Sequence, residues 1–256
     1  MITRRELRGL AILPLVAWGT ACSDTATQPV DEVLEAQVNL DVATYVTDMT
    51  ADDISMMDLY SGMVMGSPAL SPPFGFGDLT ISREVTFLGL SGNEQRYFSR
   101  DTTEAIHFVF HMEGSHARDS EYGTFESSVM RDRDMTLSNL FGQETERIWN
   151  GTGSSARSRV RHSDDSGDRS YDMSSSSTVD SVIVPVPRTW DSWPTSGTIT
   201  REVHVVIVTL EGETVERDRI AVLEFNGTQF ATLTLNGTDT FEVDLARWRC
   251  WRKRDR

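Results

Sequence analysis

The chain has 256 residues, with 39 acidic and 24 basic side chains and a net charge of −15, and its length predicts one or two domains. An apolar fraction of 38% is enough for a buried core and excludes a wholly disordered chain. Because the negative charge is concentrated in residues 22–246, a nucleic-acid partner is excluded. The single lysine, Lys253, excludes lysine-based catalysis by the body of the chain.

The amino terminus has the composition of an export signal. Residues 1–8 are basic, residues 10–18 are apolar, and residues 19–21 are small and precede Cys22. An apolar run of this length is too short to span a bilayer as a helix. Residues 1–21 are therefore predicted to be a signal peptide that is removed from the mature chain.

Residues 19–22 (GTAC) resemble the lipobox of bacterial lipoproteins. The resemblance implies that Cys22 becomes the first residue of the mature chain and carries acyl chains, which would anchor the protein to a membrane. Ser23 follows Cys22, where an inner-membrane retention signal has aspartate, and the outer membrane is therefore the expected location. Simple cleavage, with Cys22 as a structural cysteine, is the alternative.

Residues 22–30 are polar and are predicted to form a tether. Residues 31–246 are predicted to form a single β-rich domain that begins with a helix over residues 31–57. Valines at four-residue spacing give this helix an apolar stripe, which we expect to pack on a sheet. We expect its polar face to carry acidic side chains, which argues against a helix lying on lipid: Asp41, Asp48, Asp52 and Asp53.

Residues 60–77 are rich in glycine, proline and methionine and predict a long loop. If the domain binds an apolar ligand, flexible side chains in and before this loop are the candidates to line its site: Met56, Met57, Met63, Met65 and Phe74.

From about residue 79 the hydrophobic period changes to two, as in residues 106–112 and 241–245, which predicts half-buried strands. Candidate turns separate the runs at residues 91–93, 113–115, 150–151, 166–168, 211–213, 226–227 and 236–237. No helical run intervenes, so successive strands are predicted to pair antiparallel. The fold class is therefore mainly β: a large antiparallel β-meander sheet or open half-barrel with one N-terminal helix packed on it.

Residues 111–116 (HMEGSH) contain the nearest approach to a metal motif, but the glutamate is displaced from the zinc-protease pattern and Gly114 predicts a turn. About 13 Å of strand separates His107 from His111, so one zinc ion cannot bind both directly. The two histidines are therefore predicted to be exposed or to pair across strands. No serine lies in a nucleophile elbow. We expect no catalytic residue, no resident metal and no cofactor, and so no enzyme.

Two charged clusters carry weaker hypotheses. Asp164, Asp165 and Asp168 surround one turn and are a candidate calcium site, although they lack the EF-hand spacing. Alternate arginines at 157, 159 and 161 share one strand face, where they are expected to pair with acids on a neighbouring strand such as Asp172. An anion-binding stripe is the alternative.

Residues 247–256 form a basic tail that begins RWRCWRKR. Tryptophan flanked by arginine suits a lipid headgroup layer. The competing interpretation is that the tail covers the acidic body, with Trp248 and Trp251 against an open sheet edge. Cys250 is expected to pack beside these tryptophans.

Three stretches together resemble an uncharacterised family of exported bacterial β-rich lipoproteins: residues 137–153 (LSNLFGQETERIWNGTG), 182–197 (VIVPVPRTWDSWPTSG) and 225–237 (FNGTQFATLTLNG). The resemblance implies an acidic N-terminal helix and a β-rich remainder, and it carries no established activity. The sequence thus predicts a non-catalytic envelope lipoprotein that acts as a structural or interaction module with an envelope protein as partner. The alternative is a carrier for an apolar, lipid-like ligand in an open half-barrel.

Overall fold

The computed structural model describes residues 30–64, 78–120, 123–140, 142–161, 169–187, 189, 191–208 and 212–246. One helix and ten strands follow one another along the chain: α1 (Val30–Val64), β1 (Asp78–Gly89), β2 (Glu94–Gln95), β3 (Thr103–Ser120), β4 (Gly123–Ser138), β5 (Glu146–Arg161), β6 (Arg169–Pro185), β7 (Ser196–Val208), β8 (Thr214–Glu224), β9 (Phe230–Leu235) and β10 (Asp239–Asp244).

The strands form one open antiparallel sheet in the order β10-β9-β8-β7-β6-β5-β4-β3-β1-β2. From β3 to β10, each strand pairs with its successor in the chain, so most of the sheet is a meander. The mainly β fold with a single helix on the sheet is therefore confirmed. In the described residues, no helix is long and apolar enough to cross a membrane.

The predicted turns have mixed outcomes. Asn226-Gly227 and Asn236-Gly237 do connect strands, and at the second turn both residues have positive φ, 49° and 73°. The turns predicted at 113–115 and 150–151 are wrong, because these residues lie inside β3 and β5. Gly151 adopts a φ of 155° at a register shift between β5 and β6, and a Cβ there would lie 2.2 Å from the carbonyl oxygen of Asp134. This glycine allows a close approach of two strands instead of a chain reversal.

The helix is longer than the sequence predicted and continues past residue 57 to Val64, so the prediction of a loop is wrong for residues 60–64. The rest of that predicted loop, residues 65–77, lies outside the described residues. Val38, Val42 and Val46 are fully buried or nearly so, which confirms the stripe. Burial extends around the helix, however: between Tyr45 and Ile54 most positions on every side are buried. This middle segment of α1 is therefore enclosed, with little of its surface exposed to solvent.

Aromatic side chains close the core near the carboxyl end of α1. Tyr60 stacks on Phe108 of β3 with ring centroids 4.1 Å apart, and Phe108 meets Trp149 of β5 edge-on at 5.3 Å. Phe108 and Trp149 are completely buried. Near the other end of the helix, Asn39 donates a hydrogen bond to Asp239. The helix therefore crosses the sheet diagonally, from β8–β10 to β3–β5.

Small residues occupy the centre of the sheet beneath the helix. Gly153, Ser155 and Ser175 lie at consecutive inward positions of β5 and β6. They leave space in which Tyr45 contacts the Ser155 carbonyl and forms a 3.0 Å hydrogen bond with Ser175 Oγ. The face of the sheet beneath α1 is thus covered by the helix and by the long side chains that surround it.

Candidate interaction surface

The inward face of the sheet, which contacts α1, carries arginines on β4, β5, β7 and β8. These arginines reach acidic side chains on the helix. The pairs are Arg131–Asp52 (2.5 Å), Arg133–Asp53 (2.7 Å), Arg157–Asp48 (2.8 Å), Arg201–Asp53, Arg217–Glu35 and Arg219–Glu35. An arginine–carboxylate layer therefore fastens the helix along most of its length.

Asp53 is the centre of this layer. Its carboxylate bonds Arg133 through one oxygen and Arg201 through the other, and the exposed fractions of the three side chains are only 1–2%. Arg133 also donates to Ser155 Oγ at 3.0 Å and to the Ser154 carbonyl at 2.8 Å. These additional bonds offset part of the cost of burying the guanidinium group of Arg133.

The pKa values of the neighbouring carboxyl groups of Asp52 and Asp53 are shifted in opposite directions. Burial acts to raise the pKa of Asp53, but the charges of Arg133 and Arg201 outweigh it and hold that pKa below its ordinary value. Burial raises the pKa of Asp52, since the single partner Arg131 does not compensate for it and Asp53 adds repulsion. The hydrogen bond from Arg217 lowers the pKa of Glu35.

Two sequence-based expectations are wrong here. The acidic side chains of α1 were expected on a face away from the sheet, whereas Asp48 and Asp53 bond to it. The expected pairing of Arg157 with an acid such as Asp172 on the next strand is also wrong, because Arg157 bonds Asp48 of the helix. Asp172 is the register partner of Ser158, and its side chain lies on the other face of the sheet. Arg157 is therefore paired with a carboxylate of its own chain.

The outward face of the sheet, on the side away from α1, has the opposite charge. Because side chains alternate along a strand, the residues between the inward arginines point outward. In the described parts of β1 and β3–β10, no arginine takes an outward position among side chains of known placement, whereas many carboxylates do: Glu84, Glu113, Glu126, Asp132, Asp134, Asp172, Glu202, Glu216, Asp218, Glu224 and Glu242. The fold thus separates its charges, with cations inside against the helix and anions outside.

Three histidines on the outward face pair with aspartates across strands, in agreement with the prediction for His107 and His111. His107 contacts Asp134 at 2.7 Å, His111 contacts Asp132 at 2.7 Å, and a third pair joins His204 to Asp218 at 2.8 Å. The hydrogen bond between His111 and Asp132 raises the pKa of the imidazole and lowers that of the carboxyl group.

These pairs do not assemble into a nucleophilic triad or a metal centre. Ser154 Oγ donates a 3.1 Å bond to Asp132 and not to His111, so the described serine is not activated by the imidazole. Among the residues that the structure describes, no group of three histidine, cysteine or acidic side chains has the arrangement of a metal site.

A groove crosses the outward face along β5 and β6. It consists of two adjoining depressions of about 590 and 690 Å³ that share Met130, Ala156, Ser174 and His204. Small side chains on the two central strands are flanked by longer ones on β4, β7 and β8, which leaves a channel. Carboxylates border it: Glu113, Asp172, Glu202 and Asp218. We call this depression the outward groove.

Of the sequence-predicted ligand residues, the two whose side chains are described, Met56 and Met57, lie away from this groove. Met57 is fully buried in the core and Met56 packs against it. The side chain of Met63 is outside the described part of the structure, as are Met65 and Phe74. Cys22, the candidate calcium ligands Asp164, Asp165 and Asp168, and the tail 247–256 also lie outside the described residues.

Two features of the sequence indicate the oppositely charged faces and the groove, although a search for hydrophobic periodicity does not detect them. Residues 131–134 read RDRD and residues 216–219 read ERDR, so charge sign alternates with the strand period of two. Residues 174–177 are four serines, of which two face the helix and two form part of the groove. Alternating charge in a strand therefore predicts faces of opposite sign.

Comparison of the chain with protein-family models, with curated proteins and with solved structures finds no match. The resemblance to exported lipoproteins therefore remains a prediction.

Proposed function

We propose that this protein is a lipid-anchored, non-catalytic protein of the bacterial envelope that binds a cationic protein partner through its outward face. The anchor is Cys22, which follows an export signal with the small residues of a lipobox. The outer membrane is the proposed location. Residues 23–30 would then connect the lipid to the first residues of α1.

The observation that carries the binding role is the separation of charge. Inward arginines are neutralised by Glu35, Asp48, Asp52 and Asp53 of the helix, whereas the outward carboxylates have few cations beside them. A face of one sign attracts partners of the other and repels similar surfaces. A groove in the middle of that face provides concave area, which a plain acidic surface lacks.

The filled interior supports this role over a carrier of apolar ligands. A carrier needs space between the helix and the sheet, and Val42, Met49 and Met57 occupy that space with no exposed area. Admitting a ligand there would require breaking buried ion pairs such as Arg133–Asp53. The two depressions described above lie on the other face of the sheet.

The anchor is tested by replacing Cys22 with serine and fractionating the cells. We expect wild-type protein in the membrane fraction and the C22S protein in the soluble fraction, because the variant lacks the thioether site for acyl chains. Equal membrane retention of the two proteins would refute the proposed anchor.

The binding face is tested with two triple variants of equal net charge. The groove triple is E113Q/D172N/E202Q and the control triple, on exposed outward positions away from the groove, is E84Q/E224Q/E242Q. The probe is a synthetic peptide of alternating arginine and tryptophan. Because charges beyond about 8 Å are screened at physiological salt, we expect the groove triple to weaken binding about tenfold more than the control. Equal losses would refute a specific site.

A further inference from the structure

The chain itself contains a segment whose chemistry complements the outward groove. Met130, Ala156 and Ile220 give the groove apolar surface, and Met130 and Ile220 are 41% and 53% exposed. Carboxylates border it, as described above. Residues 247–254, RWRCWRKR, combine two tryptophans with a majority of basic side chains. Large aromatic and arginine side chains are the residue types that most often anchor protein interfaces.

The distance along the sheet prevents the chain's own tail from covering its own groove. Asp244 of β10 pairs with Phe230 of β9, and the register between β8 and β9 places Phe230 level with position 226 along β8. Residue 246 lies two positions further on, about ten strand positions from Asp218, which is ~33 Å. Two strand spacings add a lateral ~10 Å. The eight residues 247–254 span only ~26 Å when fully extended. The nearest residues of the groove, Ile220 and Asn236, lie eight strand positions or ~26 Å from residue 246, so only the tip of a fully extended tail would reach them. Trp251 is five residues beyond residue 246, a reach of ~17 Å, so the chain's own tryptophans cannot cover the apolar surface of the groove.

From this complementarity and this distance, we infer that the outward groove binds residues 247–254 of a second copy of the chain. The inference rests on the proposed binding role of the groove and names its partner. Trp248 and Trp251 would cover the apolar surface, and the arginines would lie beside the rim carboxylates. Because the tail and the groove are different surfaces, each copy that offers a tail retains a free groove, and the contact propagates from copy to copy.

The test uses the mature chain, residues 22–256, with C22S to prevent acylation and C250S to prevent disulfide-linked dimers. Three derivatives are compared by analytical ultracentrifugation: the groove triple, the control triple and a tail variant, W248S/W251S. We expect the background protein and the control triple to form a concentration-dependent series of assemblies that shortens at high salt. The groove triple and the tail variant should each raise the apparent dissociation constant at least tenfold.

A mixture of the two defective variants gives the sharpest result. The groove triple retains an intact tail and the tail variant retains an intact groove, so the mixture contains one functional tail–groove pair. We expect it to form heterodimers and nothing larger, since the heterodimer presents only a defective tail and a defective groove for further growth.

Three results would overturn the inference: a background protein that is monomeric at about 100 μM, a tail variant that assembles like the background protein, or a control triple as defective as the groove triple. The alternating arginine–tryptophan probe separates this failure from that of the proposed function. If the probe still binds the groove of a monomeric protein, the second copy is the wrong partner and the groove remains a binding site.

Discussion

Replacing Asp53 with asparagine removes the negative charge that Arg133 and Arg201 share. All three side chains are at most 2% exposed, so water cannot replace the lost charge. Among the described residues, Arg133 Nη2 and Arg201 Nε already have no hydrogen-bond partner. Removing one partner from a buried ion pair costs about 3–5 kcal/mol, and we expect D53N to lose that amount of unfolding free energy at pH 7.

The matched control is D52N, one residue away on the same helix. The Asp52 side chain is 23% exposed, and its pKa is raised because burial disfavours the carboxylate. A neutral amide that still accepts a bond from Arg131 therefore keeps most of its contribution. We expect D52N to lose less unfolding free energy than D53N, because burial already disfavours the charged form of Asp52.

The two positions also predict opposite dependences on pH. The folded pKa of Asp53 lies below the ordinary 3.8, so its stabilisation is present above that pH and is lost as the pH falls through the folded value. The difference between the wild type and D53N should therefore shrink in acid. The folded pKa of Asp52 lies above 3.8, so its contribution is present below 3.8 and is lost as the pH rises through the folded value.

The assay is urea unfolding of the C22S mature chain followed by tryptophan fluorescence, in which the buried Trp149 reports the core. A third variant replaces Asp53 with leucine and both arginines with methionine, and we expect it to recover much of the loss because no unpaired charge remains. A D53N protein as stable as the wild type, or a D52N protein less stable than D53N, would contradict the central role of the Asp53 carboxylate.

Three further substitutions follow from the contacts. In an NMR titration, His111 should have a pKa above 6.5 that falls when Asp132 is replaced by asparagine; an unchanged pKa would mean that the pair does not form in solution. Tyr45→Phe removes a buried hydroxyl bond and should cost about 1 kcal/mol in urea unfolding, whereas no loss would contradict the contact with the sheet centre. Gly151→Ala should destabilise the protein more than Gly92→Ala, because only the first has backbone atoms where the Cβ would go; equal thermal midpoints would count against the observed register shift.

The sequence allowed the fold class to be predicted because the relevant signals are local. Alternation over residues 106–112 identifies a strand, and Asn-Gly at 236–237 identifies a turn in which both residues need positive φ. The same reasoning failed at Gly114 and Gly151, which lie inside long strands. A glycine permits a turn but also permits a close strand approach, and only the register distinguishes the two.

The candidate site was predicted less completely because its contacts join distant parts of the chain. Asp53 lies 80 residues from Arg133 and 148 from Arg201 in the sequence, and no local pattern states that they meet. Alternating charge at 131–134 does show that one face of β4 is basic and the other acidic. Which face contacts the helix depends on tertiary packing, and the outward groove emerges only when β4–β8 are placed side by side.

Site-specific photo-crosslinking in intact cells tests most directly whether the protein binds its partner through the outward groove. A photoreactive phenylalanine derivative is placed at Ser174 in the groove or, as a control, at Thr240, which is exposed on the outward side of β10. We expect a discrete adduct from Ser174 and none from Thr240, with the mass of two chains if the partner is a second copy. Equal labelling at both positions, or no adduct at Ser174, would contradict binding through this groove.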